Sequence, residues 1–246
     1  MTRFRLSPVS VVVALLALAA CTHAPQSPAS APARSVASDT ALSSAAAGVN
    51  TSGLPIAPDA VAESLLVDVR SLDPSIVVHL RYATSNNFTG APIDGYQANR
   101  ALLRREAALA LLRVQQRLAP QGLGLEIFDA YRPVRASEAM VAWTRRVGRE
   151  DLLRDGYIAA RSKHNLGSTV DLTLVDRRTG QELEMGTPFD TFSPAAHTAN
   201  ATGVAAQNRA LLKSVMESEG FTNYDQEWWH FTYPVPDPVR FDLVIR

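Results

Sequence analysis

Cysteine occurs once in the 246 residues, at position 21, so no internal disulfide can brace the fold in any compartment. A dominant charge is missing too. The 24 Lys and Arg balance 24 Asp and Glu, and no basic cluster interrupts that balance, which argues against nucleic acid as a partner. The sequence shows no internal repeat, no glycine-rich phosphate loop and no second cysteine–histidine cluster. The apolar run Val9 to Ala20 is too short to span a bilayer comfortably. What remains is 46% hydrophobic and 20% charged, the composition of a globular protein with room for a sizeable core.

Arg3 and Arg5 precede the Val9–Ala20 run, which has the layout of a secretory signal. It ends Leu18-Ala-Ala-Cys21, a tetrad that resembles a bacterial lipobox and implies lipidation of Cys21. Thr22 rather than aspartate follows, which by analogy with Gram-negative lipoproteins favours the outer membrane. The expected location is therefore periplasmic, through an N-terminal lipid anchor in the membrane. Beyond Cys21 the chain is dominated by alanine, serine and proline, too poor in large apolar residues to offset the entropy of ordering. The division expected is a signal peptide over 1–20, a disordered tether over 21–60 and one folded domain over 61–246.

Two segments carry chemistry. In Ser162-Lys-His-Asn-Leu-Gly-Ser-Thr-Val-Asp171, Gly167 is a turn residue and Thr169 to Val175 alternates as a strand, with Val170, Leu172 and Leu174 on one face. Asp171 points away from that face, and a chain that bends at Gly167 brings His164 back to meet it. In Glu227-Trp-Trp-His230 an aromatic extended stretch puts Trp228, His230 and Thr232 on one face, with Glu227 at its mouth. Two imidazoles and a carboxylate suit one zinc ion per chain and leave a position open for water, as in a catalytic rather than a structural site. Glu227 is placed to act as general base on that water. Calcium and magnesium prefer all-oxygen shells, which two histidines argue against.

Ser162-x-His164-x-x-Gly167-x-x-x-Asp171 followed by Glu227-x-x-His230 resembles the zinc D-alanyl-D-alanine peptidases, most of all the D-alanyl-D-alanine dipeptidases of the vancomycin-resistance type. Leu80-Arg-Tyr-Ala-Thr84 with Asn87-Phe-Thr-Gly90, Asp129-Ala-Tyr-Arg-Pro133 and Met185-Gly-Thr-Pro-Phe-Asp190 extend the similarity from about Leu66 to Tyr233. The resemblance implies His164, Asp171 and His230 as zinc ligands, Glu227 as base, and Arg132 as the fixed cation facing the developing oxyanion, with Asp129 orienting it. It implies that Asp190 pairs the ammonium of a free D-Ala-D-Ala dipeptide and that Ser162 donates to the substrate carboxylate. Tyr82 either helps hold the amino end or is a strand-end aromatic on the core. Thr169 departs from the alanine often found two residues before the aspartate, a change that bears on substrate fit. A D,D-carboxypeptidase acting on peptidoglycan stems and a non-catalytic cell-wall binding module are the competing readings.

The remaining segments are scaffold. Leu65 to Val69 and Ile76 to Tyr82 read as strands joined by the Asp73-Pro74 turn. Asn99 caps a helix with Leu103, Ala107, Leu111, Val114 and Leu118 at helical spacing. Leu123 to Tyr131 is a strand that delivers Arg132. Pro133 opens a helix whose Ala136, Met140, Trp143 and Val147 face inward. Val204 to Glu219 is a third helix, ended by Gly220, and Val239 to Ile245 alternates as a final strand. His79 and His197 read as strand and loop residues rather than ligands. The fold class is α+β, a mainly antiparallel sheet with packed helices and the zinc in a cleft at the sheet, as in the D-Ala-D-Ala peptidase and hedgehog-like folds.

Overall fold

The computed structural model describes residues 53–246, so the signal-like run, Cys21, His23 and the tether up to residue 52 lie outside the described residues. In chain order the elements are α1 (Asp59–Leu65), β1 (Leu66–Asp68), β2 (Val77–Val78), β3 (Leu102–Arg104), α2 (Arg105–Leu118), β4 (Leu123–Asp129), α3 (Val134–Arg146), α4 (Asp151–Arg154), β5 (Thr169–Asp176), α5 (Gly203–Ser218), β6 (Thr222–Asn223) and β7 (His230–Thr232). Five strands form one sheet in the order β2-β4-β5-β7-β6; only β2 and β4 run parallel. A separate antiparallel ribbon joins β1 to β3. The α+β expectation, mainly antiparallel, is met.

Strand β5 is the spine. Val170, Leu172 and Leu174 are buried on one face, and Thr169, Asp171 and Thr173 are buried on the other, so protein covers the polar side of this strand as well. Helix α2 buries Ala107, Leu111, Val114 and Leu118 at the helical period. It packs against β4 and α5. Its chain stops at Gly122, whose φ of +72° suits a residue without a Cβ.

Four local expectations are corrected. Leu102–Arg104 is a strand bonded to β1, so α2 starts at Arg105; the Asn99 side chain does not cap it but bridges the Leu80 N–H and the Val78 carbonyl. Val239–Ile245 forms no strand, because its N–H groups go to separate loop partners: Arg240 to Pro55, Phe241 to Asn165 and Ile245 to Gly95. Phe241 and Ile245 are nonetheless fully buried. Val147 lies beyond the end of α3 and is exposed. The folded part begins before residue 61, since Ile56 pairs with Arg240 and α1 starts at Asp59.

Candidate active site

The first site residues are placed by a tight turn. Ser162 caps a short 3-10 turn over Lys163–Leu166: its Oγ accepts from the His164 N–H at 3.2 Å, and the Asn165 side chain accepts from the Ser162 N–H. Gly167 then takes φ +66°, and a Cβ there would meet Leu66 Cδ2 at 2.4 Å, so any other residue would strain the backbone and displace Leu66. The reversal lands His164 over β5. Its Nδ1 lies 2.6 Å from the Ala130 carbonyl, which holds the proton on Nδ1 and leaves the Nε2 lone pair for a ligand.

Sheet register supplies the other two. Asp171 of β5 is the direct cross-strand partner of His230 on β7. His230 Nδ1 lies 3.0 Å from Asp171 Oδ1, and His164 Nε2 lies 3.3 Å from Asp171 Oδ2. The two imidazole centroids are 5.0 Å apart. One ligand atom from each of His164, Asp171 and His230 lies within 4.8 Å of the others. Despite these approaches, His164 Nε2 and Asp171 Oδ1 are buried with no hydrogen-bond partner. Atoms that crowd together without bonding to one another converge on a common point, and the N,N,O donor set fits a borderline-soft divalent cation. Burial works to raise the Asp171 pKa, but the two imidazoles outweigh it and hold the carboxylate well below its usual range. Burial lowers the His230 pKa against the pull of Asp171, which favours the neutral imidazole a metal needs.

Around this group the other expected residues gather. Glu227 is buried with Oε2 3.3 Å from His230 Nδ1, and burial, then Asp171 and Asp190, push its pKa well up while Arg132 opposes. Arg132 donates from Nε and Nη2 to Asp129 Oδ2 at 2.9 and 2.8 Å, so Asp129 does orient it, and its Nη2 is 3.7 Å from Asp171. Tyr82 sits in a 3-10 turn over Arg81–Ala83 rather than at a strand end. It packs edge-on to Phe88 and Tyr96 in the core, and its hydroxyl donates to Asp190 Oδ1 at 3.0 Å. Asp190 adopts φ +59°, which aspartate tolerates better than most residues, and its Oδ2 is buried without a partner. Burial, with Asp171 as the next cause, pushes its pKa up to about 8. Thr169 bonds Thr232 hydroxyl to hydroxyl at 3.0 Å, so its extra polar atom is satisfied across the strand pair.

Tyr82, Arg132, His164, Asp171, Asp190, Glu227 and His230 line one cleft of about 460 Å³, together with Ser162 and the apolar Phe88, Met140, Tyr157 and Phe192. His79 and His197 stand apart from it as expected, paired with Glu126 and Tyr157. Sequence reasoning missed Tyr96, whose hydroxyl donates to Asp129, and Asn165, whose amide donates to the Arg132 carbonyl and Ser137. The Ser162-x-x-Asn165 spacing was the available signal for Asn165. Nothing local marked Tyr96.

A family model described as D-ala-D-ala dipeptidase, of the peptidase M15 type, matches residues 62–239. The D-alanyl-D-alanine dipeptidase of Enterococcus faecium is 40% identical, the match covering 68% of this chain and 91% of that one. That of Streptomyces coelicolor is 39% identical over 67% and 90% of the two chains, and that of Escherichia coli is 36% identical over 69% and 84%. Among solved structures, a vancomycin resistance D,D-dipeptidase in complex with a D-Ala-D-Ala phosphinate analogue aligns at 17% identity, covering 69% of this chain and 66% of that one. The TM-score of that alignment is 0.37.

Proposed function

The chain belongs to the D-Ala-D-Ala dipeptidase family of M15 peptidases, and from that premise we propose that it hydrolyses free D-alanyl-D-alanine with one zinc ion held by His164, Asp171 and His230. The observation that carries the reading is the convergence of those three ligand atoms, two of them buried and unbonded, beside a buried glutamate. Zinc, when bound, acidifies a water and polarises the scissile carbonyl.

The chain's own residues do the rest. Glu227 accepts a proton from the attacking water and delivers it to the departing amine. Arg132, its guanidinium plane fixed by two bonds to Asp129, faces the carbonyl oxygen as negative charge develops there. Asp190 and Tyr82 hold the substrate ammonium; the bare, buried Asp190 Oδ2 supports this, because a buried carboxylate oxygen calls for a cationic partner. Ser162 uses its Oγ lone pair on the His164 N–H and keeps its proton to donate to the substrate carboxylate.

Ammonium pairing this close to the reacting centre favours a free dipeptide over a peptidoglycan stem. A binding module would need neither Glu227 nor Arg132. We place the enzyme in the periplasm, in cell-wall precursor turnover, anchored through a lipid on Cys21; the Leu18-Ala-Ala-Cys21 tetrad supports this. The test incubates zinc-loaded protein with D-Ala-D-Ala, L-Ala-L-Ala and an N-acylated stem peptide ending in D-Ala-D-Ala. Alanine release from the first alone is the expected result. Comparable release from the acylated peptide would replace this reading with the D,D-carboxypeptidase.

A further inference from the structure

Helix α5 presents Ala205, Arg209, Leu212 and Met216 to the interior at helical spacing, so an arginine interrupts an otherwise apolar stripe. Arg209 is 2% exposed, and among the described residues no carboxylate pairs with it. Among the described residues all its hydrogen bonds go to one stretch of chain. Nε donates to the Met185 carbonyl at 2.7 Å, Nη1 to the carbonyls of His197 at 2.7 Å and Ala195 at 3.2 Å, and Nη2 to Ala195 and Thr187 Oγ1. Burial without an acid nearby pulls the Arg209 pKa down, so the charge is retained at a cost a leucine would not incur.

The stretch it grips, 185–197, has no strand pairing and carries Asp190 between its two gripped ends. Gly186 passes so close that a Cβ there would lie 3.4 Å from Arg209 Nη2. The same clamp reaches the turn carrying Glu227. Thr187 Oγ1 accepts from Trp228 Nε1 at 2.9 Å, the Trp228 N–H donates to Ala196, and the guanidinium lies 5.8 Å from the Trp228 ring centroid.

We infer that Arg209 is a positioning residue that sets the distance between the Asp190 carboxylate and the scissile bond, and so restricts the enzyme to substrates with a free amino group one residue from that bond. This rests on the reading of Asp190 as the ammonium's partner. The chemical logic is that a planar fork can hold several carbonyls at once and tie a strandless loop to a rigid helix. Arg209 touches neither substrate nor metal group, so its loss moves Asp190 without removing it.

The test compares Arg209→Lys and Arg209→Met with the parent enzyme, each zinc-loaded and checked for zinc stoichiometry, using D-Ala-D-Ala and N-acetyl-D-Ala-D-Ala. Expected are unchanged zinc content, a KM for the free dipeptide raised about tenfold or more with kcat changed far less, and discrimination against the acetylated substrate reduced by a similar factor. A fall in kcat with both KM values unmoved, or an unchanged ratio of the two kcat/KM values, overturns the proposal. Thr187→Val covers the case in which the arginine variants do not fold: it keeps the helix intact, and it must shift the same ratio in the same direction or the proposal fails. Asp190→Asn separates the two levels of the argument. If it leaves the ratio unchanged, the ammonium reading itself is wrong; if it collapses the ratio while the Arg209 and Thr187 variants do not, only the positioning role is lost.

Discussion

His164, Asp171 and His230 sit on a capped turn and two neighbouring strands, whereas Asp190, across the same cleft, sits on a loop with no strand pairing of its own. At the metal end, backbone geometry does the positioning. Register puts Asp171 opposite His230, and one left-handed glycine returns His164 to them. At the Asp190 end the backbone is irregular, and side chains hold it: Tyr82 through the Asp190 carboxylate and Arg209 through the loop's carbonyls. Ladder hydrogen bonds are shared among many residues, so the Asp171–His230 pairing should tolerate single changes in its support, Gly167 being the exception on the His164 side. The loop depends on a few contacts and should answer to each.

That contrast can be broken from the metal end first. Glu227→Gln should keep one zinc per chain and lose on the order of 10³-fold or more in kcat, whereas His164→Ala should lower the zinc content itself, as metal analysis would show. An active Glu227→Gln enzyme removes Glu227 from the base role. Arg132→Lys loses the two-pronged grip of Asp129 and should cost on the order of 10²-fold in kcat with zinc retained. A change confined to KM would move Arg132 to substrate binding.

At the other end, Asp190→Asn should raise KM for the free dipeptide about tenfold or more and spare the acylated one. It also carries a pH signature. The folded Asp190 carboxyl titrates at about 8; in the unfolded chain it titrates at about 4. Across that window the folded state holds a proton the unfolded state has released, so this residue's contribution to stability falls as pH rises. The metal-free Asp190→Asn protein should therefore gain most in Tm over the metal-free parent at about pH 8 and nothing at about pH 4. A constant Tm difference across that range would mean the carboxyl is not held protonated. The smallest effect belongs to Thr169→Ala, which removes one cross-strand hydroxyl bond; it should cost about 1 kcal/mol in thermal or denaturant unfolding and leave zinc content unchanged.

Much of the site was legible because its signals are local. Gly167 marked a reversal three residues after His164, β5 alternated clearly enough to give Asp171 its own face, and Asp129-Ala-Tyr-Arg132 put a carboxylate one short turn from the guanidinium it orients. Where a signal depended on distant partners, it misled. Leu103 fits the period of α2, yet it is a strand residue because β1 bonds to it. Val239–Ile245 alternates like a strand but has no single neighbour long enough to pair with. Nothing within α5 tells that the carbonyls of 185–197 lie against Arg209.

By itself the sequence determined the donor types, the turn that presents His164 and the spacing of Glu227 from His230, because each is set within a few residues by backbone sterics and side-chain chemistry. Only the tertiary structure decided that Asp171 faces His230, that Tyr82 and Arg209 both hold the Asp190 loop, and that a carbonyl at Ala130 fixes the His164 tautomer. Those pairings join segments far apart in the chain. They are selected by how the sheet and helices bury their apolar faces together, a condition no short window of sequence contains.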